Sequence, residues 1–124
     1  MDLQYIILYV SNQADSEAFY RTVLNADPTL SVPGMTEFSL GGSLRLGLMP
    51  NDGIARLIGS DPHPATGTGI PRCELYFKSA DVHVALQRAT EAGARLIDDL
   101  KPRDWGDSVA YLADPDGHIV ALAQ

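Results

Sequence analysis

The sequence has a single cysteine, Cys73, and no long apolar run. One cysteine excludes an internal disulfide and a thiolate metal cluster, so nothing in the chain requires an oxidising compartment. The apolar runs are too short to cross a bilayer, and no basic, apolar leader opens the chain. Basic residues are also few, and the net charge of −7 repels nucleic acid and anionic membrane surfaces. We therefore expect a cytoplasmic protein without nucleic-acid or membrane partners.

The composition that remains is that of one globular domain. The 124 residues are 45% hydrophobic and 20% charged, which is enough for one core and too little for two domains of ordinary size. The first half begins with a β-branched and aromatic strand over residues 3–10, followed by a helix over 13–25 that Asn12 caps. Its apolar face is predicted to hold Ala18, Phe19, Thr22 and Val23. Three weaker strands follow, at residues 30–32, 35–40 and 43–49.

The second half repeats this order after a change of composition. Residues 50–71 are rich in Gly, Pro, Asp and Thr around one short apolar turn, which predicts a linker or lid. Beyond it come a strand at 72–79, a helix that Asp81 caps and Gly93 ends, and three strands joined at their last turn by Asp114–Gly117. The chain thus reads as an α+β fold of two tandem βαβββ modules: module one 1–49, linker 50–71 and module two 72–124.

The register of the two halves supports a duplication. Tyr5 precedes the first helix cap, Asn12, by seven residues, and Glu74 precedes the second cap, Asp81, by seven residues. Strand alternation then places Tyr5, Ile7 and Tyr9 on one face, with Glu74, Tyr76 and Lys78 in the equivalent positions. We expect these to form the open face of the sheet, with the aliphatic set packed under the helices. The helix faces align only after a slip of about two residues.

These modules resemble the vicinal oxygen chelate superfamily, which includes glyoxalases, bleomycin-resistance proteins and extradiol dioxygenases. The resemblance rests on "LYVSNQADSEAFYRTVLNA" in the first half and "WGDSVAYLADPDGHIVALA" in the second. Asn25 stands where the family commonly has a glycine. The resemblance implies one glyoxalase/bleomycin-resistance-like domain over 1–124, with a curved mixed sheet around a central cleft and the helices on its outer face.

The same resemblance bears on metal binding. Enzymes of the superfamily hold one divalent metal with His and Glu side chains, one from each of four strands. The equivalent positions here are Tyr5, the segment Arg45–Gly47, Glu74 and Ala121, and only Glu74 is a suitable ligand. The resemblance therefore implies a relative without the metal, with no cofactor, and with a small residue where metallo-relatives carry a carboxylate. We expect no stoichiometric Zn, Ni, Fe or Mn.

Other reactive residues give weak signals. His63, His83 and His118 have no ligand-pair spacing and are interpreted as solvated surface histidines. Cys73 is interpreted as a small buried or edge residue. Glu74 is the only catalytic candidate, and two interpretations of it stay open: it pairs with a cationic ligand group or acts as a base, or Arg45 or Lys78 bridges it.

Aromatic residues indicate a ligand surface. Tyrosines on the open face and Trp105 in the loop "RDWGD" suit the walls of a pocket for a flat organic molecule. The predicted ligand-binding residues are Tyr5, Ile7, Tyr9, Glu74, Tyr76, Trp105, Tyr111 and Ala121. The alternative for each aromatic residue is ordinary sheet packing.

The function that these observations favour is metal-independent binding of a small aromatic or cationic molecule, in a sequestration or resistance-like role. One alternative is a divalent-metal glyoxalase-type lyase or dioxygenase with non-standard ligands. A second is a regulatory effector-binding module. The resemblance also implies a homodimer, since relatives place their clefts at or near a two-fold interface.

Overall fold

A computed structural model describes residues 1–59, 64 and 69–124 of the chain. The chain divides into two compact units, each built around its own four-stranded mixed sheet. No helix in the described ranges is long and apolar enough to span a membrane. His63, which the sequence indicated to be a solvated surface histidine, lies outside the described residues.

The first unit has the predicted βαβββ order. Its strands are β1 (Tyr5–Val10), β2 (Leu30–Val32), β3 (Met35–Ser39) and β4 (Arg45–Pro50), and its helices are α1 (Gln13–Leu24) and α2 (Asn51–Ile58). The last three residues of α1, Thr22–Leu24, group with the second unit. The sheet order is β1-β4-β3-β2. β1 and β4 are parallel because the chain crosses over between them, whereas β3 pairs with its neighbours antiparallel.

The second unit repeats this topology. Its elements are β5 (Glu74–Lys78), α3 (Val82–Glu91), β6 (Arg95–Pro102), β7 (Ser108–Ala113) and β8 (Ile119–Ala123). The sheet order is β5-β8-β7-β6, with β5 and β8 parallel. The predicted α+β fold of two tandem βαβββ modules is therefore confirmed.

The predicted faces of the strands are also confirmed. Leu8 and Val10 are buried, whereas Tyr5, Ile7 and Tyr9 are 43%, 38% and 42% exposed. In the second unit Leu75 is buried and Tyr76 is exposed. The first sheet thus has one covered face and one that carries exposed aromatic side chains, whereas in the second sheet Tyr76 is exposed on a face that also holds the buried Val109, Ala121 and Ala123.

The predicted apolar face of α1 is confirmed for Phe19 and Val23 and wrong for the other two residues. Ala18 and Thr22 are exposed, and the buried side chains are Ser16, Phe19, Tyr20 and Val23. Burial of Tyr20 in place of Ala18 is favoured because burial of an aromatic ring removes far more apolar area from water.

The corrected helix face removes the apparent slip between the modules. Ser16 lies four residues after the cap Asn12, and Ala85 lies four residues after the cap Asp81. Ser16 and Ala85 are both buried, and both caps are exposed. Tyr20 and Ala89, both buried, follow their caps by eight residues. The two helices therefore share one register.

Matching caps begin and end both helices. The Asn12 side chain accepts a hydrogen bond from the Asp15 amide at 3.0 Å, and the Asp81 side chain accepts one from the Val84 amide at 3.1 Å. At the other end Asn25 adopts a φ of 49°, equivalent to Gly93 at 92°. Asparagine tolerates this left-handed conformation better than most residues, which explains its presence at the usual glycine position.

The span predicted as a linker contains a helix. Residues 50–71 were expected to hold only one short apolar turn, but α2 occupies Asn51–Ile58 and buries Ile54 and Ala55. Both side chains lie one turn from the end of β4, so they continue the apolar packing of the first unit. Gly59, with a φ of 124°, ends the helix.

Polar side chains of α1 hold the hairpin of β2 and β3. Gln13 donates to the Val32 carbonyl at 2.8 Å, and its own amide oxygen accepts from the Gly34 amide at 3.0 Å. The Glu17 carboxylate accepts hydrogen bonds from the Ser31 and Thr36 hydroxyls. The Ser31 hydrogen bond is the main reason that the pKa of Glu17 lies below its usual value.

Candidate functional site

The strongest candidate site is the face of the second sheet that carries the exposed Tyr76 on its edge strand and the buried Ala121 at its centre. Tyr76 on β5 pairs with Ala121 on β8, and Ala121 pairs with Tyr111 on β7. Glu74 precedes Tyr76 by two residues and therefore shares its face. We call these four residues, Glu74, Tyr76, Tyr111 and Ala121, the tyrosine face. The sequence predicted all four, and the register places them on adjacent strands.

Ala121 lies at the centre of this face and is 0% exposed. It packs with Val109 and Ala123, and the partly buried Tyr111 covers the cluster. The position that carries a carboxylate in metallo-relatives is therefore a closed apolar contact between two tyrosines. It offers no ligand atom and no space for a larger side chain without rearrangement.

The loop between β6 and β7 is bonded to the tyrosine face. The Tyr76 hydroxyl donates to the Asp107 carboxylate at 2.6 Å, and the Trp105 indole N–H donates to the Tyr76 oxygen at 3.1 Å. Lys78 forms an ion pair with the other oxygen of Asp107 at 2.9 Å. Trp105 is 59% exposed, so its ring is available at the edge of the face rather than packed in the core.

These contacts shift the pKa values of the groups involved. The hydrogen bonds from Tyr76 and then Lys78 lower the pKa of Asp107, so this carboxyl is ionised at neutral pH. The hydrogen bond to Asp107 raises the pKa of the Tyr76 phenol, which is therefore neutral. The same carboxylate raises the pKa of Lys78.

Sequence reasoning missed Arg103, which fixes the start of this loop. Its guanidinium forms an ion pair with Asp98 at 2.9 Å and donates to the Val109 carbonyl at 2.8 Å. It also lies over the Tyr111 ring, 5.0 Å from the ring centre. The signal in the sequence was a basic residue at the start of a polar hairpin loop. Without the fold, this signal does not identify which acidic group or carbonyl Arg103 contacts.

The Glu74 side chain is exposed and forms no hydrogen bond or ion pair with another described side chain of the second unit. The interpretation in which Lys78 bridges it is wrong, and the interpretation with Arg45, a residue of the other unit, stays a prediction. Lys78 pairs with Asp107, and Arg45 donates to the carbonyl of Gly42. Glu74 thus remains a carboxylate that a ligand can pair with.

The first unit carries the other predicted ligand-binding residues, Tyr5, Ile7 and Tyr9, on its own exposed sheet face. Arg45 and Gly47 share that face through their pairing with Tyr5 and Ile7. Leu46 is fully buried on the opposite face, which removes it from the possible ligand positions. A Cβ atom on Gly47 would lie 3.1 Å from the Ile7 side chain and 3.3 Å from that of Met35, so the glycine permits close packing there.

The residues at the family's metal-binding positions do not fit a divalent metal. On the first sheet they are Tyr5 with Arg45 or Gly47, and on the second they are Glu74 and the enclosed Ala121. A tyrosine, a guanidinium or glycine and an alanine provide no His or carboxylate ligand, and one glutamate alone does not hold a catalytic metal.

The only close group of carboxylates and histidine in the described ranges lies in the turn between β7 and β8. Possible ligand atoms of Asp114, Asp116 and His118 lie within 4.8 Å of one another. The Asp114 carboxylate accepts hydrogen bonds from the Asp116 and His118 amides, each at 2.9 Å. With the Gly117 amide bonded to the Asp114 carbonyl and a φ of 89° at Gly117, these contacts form the predicted turn.

His118 is not the solvated surface histidine that the sequence indicated. Its Nδ1 lies 2.8 Å from the Asp114 carboxylate, whose side chain is fully buried. This hydrogen bond raises the pKa of His118, against burial, which lowers it. His83 is exposed as expected, and Cys73, expected to be buried or at an edge, is exposed just before β5.

The raised pKa of His118 makes the stability of the chain depend on pH. Protonated His118 strengthens the folded state through Asp114, and this contribution is complete below the unfolded pKa of about 6.5. It is lost as pH rises through the higher folded pKa. We expect the difference in free energy of unfolding between the wild type and His118→Gln to shrink as pH rises, measured by urea titration across that range. A constant difference would contradict the pairing.

The comparisons with known proteins agree with this architecture. A family model described as "Glyoxalase-like domain" matches residues 3–124. Uncharacterized protein Mb0911c of Mycobacterium bovis is 30% identical over 120 residues, which cover 94% of this chain and 79% of that protein.

Solved structures share the fold. The glyoxalase-related enzyme from Fulvimarina pelagi has a TM-score of 0.83 at 20% identity and covers 98% of this chain and 86% of its own. Lactoylglutathione lyase from Agrobacterium tumefaciens has a TM-score of 0.72 at 24% identity, with 98% and 92% covered. At these identities the similarity is one of fold.

Proposed function

This chain belongs to the glyoxalase-like domain family of the vicinal oxygen chelate superfamily, and on that premise we propose that it binds a small aromatic or cationic organic molecule without a protein-held metal. The observation that carries the proposal is Ala121, an enclosed alanine between two tyrosines at the position of the family's carboxylate ligand. A sequestration or resistance-like role fits binding without a metal, because retention of the ligand needs affinity and no reaction.

The tyrosine face supplies the contacts for such a ligand. Tyr76 and the nearby Trp105 expose aromatic surface that an aromatic ring can stack on. Glu74 supplies a carboxylate for a cationic group, and the ion pairs of Lys78 and Arg103 neutralise the basic side chains close by. The proposal extends to Tyr5, Ile7 and Tyr9 of the first unit as further ligand contacts, and to a homodimer as the form in solution.

The test begins with a thermal-shift screen of aromatic amines and related cations on the purified protein. A binder of the native state raises the melting temperature, and we expect hits among aromatic cations rather than aromatic anions. Elemental analysis of the same preparation is expected to find far less than one Zn, Ni, Fe or Mn per chain. Near-stoichiometric metal that is lost in Glu74→Ala would contradict the proposal and favour a metalloenzyme.

Trp105→Ala then locates the site. Calorimetry is expected to show about a threefold to tenfold loss of affinity for a hit, from loss of one aromatic contact. The free energy of unfolding should fall by only about 1 kcal/mol, because the side chain is largely exposed and forms one hydrogen bond. Val84→Ala, an exposed site on α3, is the control and should change neither. A large loss of stability with unchanged affinity would place Trp105 in the core.

A further inference from the structure

We propose that Asp107 is a positioning residue that sets the hydrogen-bond polarity of Tyr76, so that this phenol selects ligands that present an N–H or O–H donor. The proposal rests on the proposed function and narrows the class of ligand. Asp107 need not touch the ligand, because it acts through the direction of the Tyr76 proton.

The direction of both hydrogen bonds at Tyr76 is fixed by chemistry. An ionised carboxylate only accepts, so the 2.6 Å contact to Asp107 uses the phenol's single proton. An indole nitrogen only donates, so the 3.1 Å contact from Trp105 uses one lone pair of the phenol oxygen. What remains for a ligand is the second lone pair, which only accepts. Tyr76 is 37% exposed, so a ligand on this face can reach the phenol.

Lys78 makes this arrangement stable. Its ammonium pairs with the second oxygen of Asp107 at 2.9 Å, and the Asp107 side chain is 18% exposed. The carboxylate therefore stays ionised and stays turned toward Tyr76 through neutral pH, in agreement with its lowered pKa. A ligand that offers only a lone pair meets the lone pair of Tyr76 and loses its hydrogen bond to water without replacement.

Asp107→Asn is expected to reverse this polarity. Lys78 requires an oxygen, so the new amide turns its oxygen to Lys78 and its NH₂ group to Tyr76. Tyr76 then accepts hydrogen bonds from both the amide and Trp105, and its own proton is free to point at a ligand. The variant should prefer ligands that present an acceptor.

Three aromatic probes of similar size test whether Tyr76 selects hydrogen-bond donors. Indole offers a donor, quinoline offers an acceptor and 1-methylindole offers neither. Binding is followed by the indole N–H resonance of Trp105 in ¹⁵N-labelled protein, which is a single signal because the chain has one tryptophan. The wild type should bind indole about threefold to tenfold more tightly than either of the others, the effect of one hydrogen bond. Asp107→Asn should lose this preference and gain affinity for quinoline. Asp104→Asn, with the same charge change in the same loop, should behave as the wild type.

A second readout needs no ligand. The tyrosinate absorbance is titrated in the wild type, Asp107→Asn and Asp104→Asn, with Tyr76→Phe identifying the Tyr76 signal among the five tyrosines. The pKa of Tyr76 is raised by Asp107 in the wild type, so it should fall in Asp107→Asn alone. An unchanged titration overturns the positioning role whether or not probes bind. If Tyr76 titrates as expected but none of the probes shifts the Trp105 resonance, the proposed ligand face is overturned. The proposed selection of hydrogen-bond donors is overturned with it.

Discussion

Ala121→Glu is expected to lower the free energy of unfolding by about 3 to 5 kcal/mol at neutral pH, as an unpaired charge in a buried site does. The substitution restores the residue type that metallo-relatives carry, but it does so at a position with no exposed surface and apolar neighbours. A carboxylate there loses its hydration and finds no cation, so we expect destabilisation rather than a metal site. Urea unfolding with and without added Zn or Ni measures both outcomes.

Ala121→Gln separates charge from volume, since it has the shape of glutamate without the charge. It should cost about 1 to 3 kcal/mol from overpacking and from burial of its amide. The further loss in Ala121→Glu should disappear on acidification, because burial raises the pKa of the new carboxyl above its unfolded value of about 4.3 and the neutral form carries no charge penalty. Stabilisation of Ala121→Glu by one equivalent of metal would show that the site retains metal-binding capacity.

Local patterns predicted most of the fold because each is set by neighbours in the chain. Strand alternation separated Leu8 and Val10 from Tyr5, Ile7 and Tyr9, and cap residues located the starts of both helices. The turn Asp114–Gly117 needed only its own four residues. The family resemblance, and not a local pattern, singled out Ala121, and the register puts it between Tyr76 and Tyr111.

The features of the fold that were predicted wrongly depend on contacts between residues distant in the sequence. The face of α1 was only half right because burial in the folded chain favours Tyr20 and Ser16, whereas a sequence pattern weights Ala18 as apolar. The helix α2 was missed because Gly and Pro around it resemble a linker, and because burial of Ile54 supplies what local propensity lacks.

The polar network of the candidate site was also beyond sequence reasoning. Tyr76 meets Asp107 across 31 residues and Trp105 across 29 residues. No local pattern states which acid accepts the phenol proton, because that choice follows from the course of the β6–β7 loop. Arg103 fixes that loop through Asp98 and the Val109 carbonyl.

The second large effect is expected on the first sheet, where Phe38 and Tyr9 test the assignment of the two faces. Phe38 is fully buried, and Phe38→Ala should lower the free energy of unfolding by about 3 to 5 kcal/mol through loss of burial and a residual cavity. Tyr9, on the opposite face, is 42% exposed, so Tyr9→Ala should cost no more than about 1.5 kcal/mol. Urea titration of both variants gives the comparison.

Phe38→Leu keeps the test usable if Phe38→Ala does not fold, because it retains most of the side-chain volume. It should cost more than Tyr9→Leu, the same kind of replacement on the exposed face. The difference between the two faces in unfolding free energy bears on function. A sheet face whose aromatic side chains contribute little to folding is free to contribute to ligand binding. Equal losses for Phe38→Ala and Tyr9→Ala would mean that Tyr5, Ile7 and Tyr9 belong to a core. The ligand contacts proposed for the first unit would then be wrong, while those of the tyrosine face would stand on their own residues.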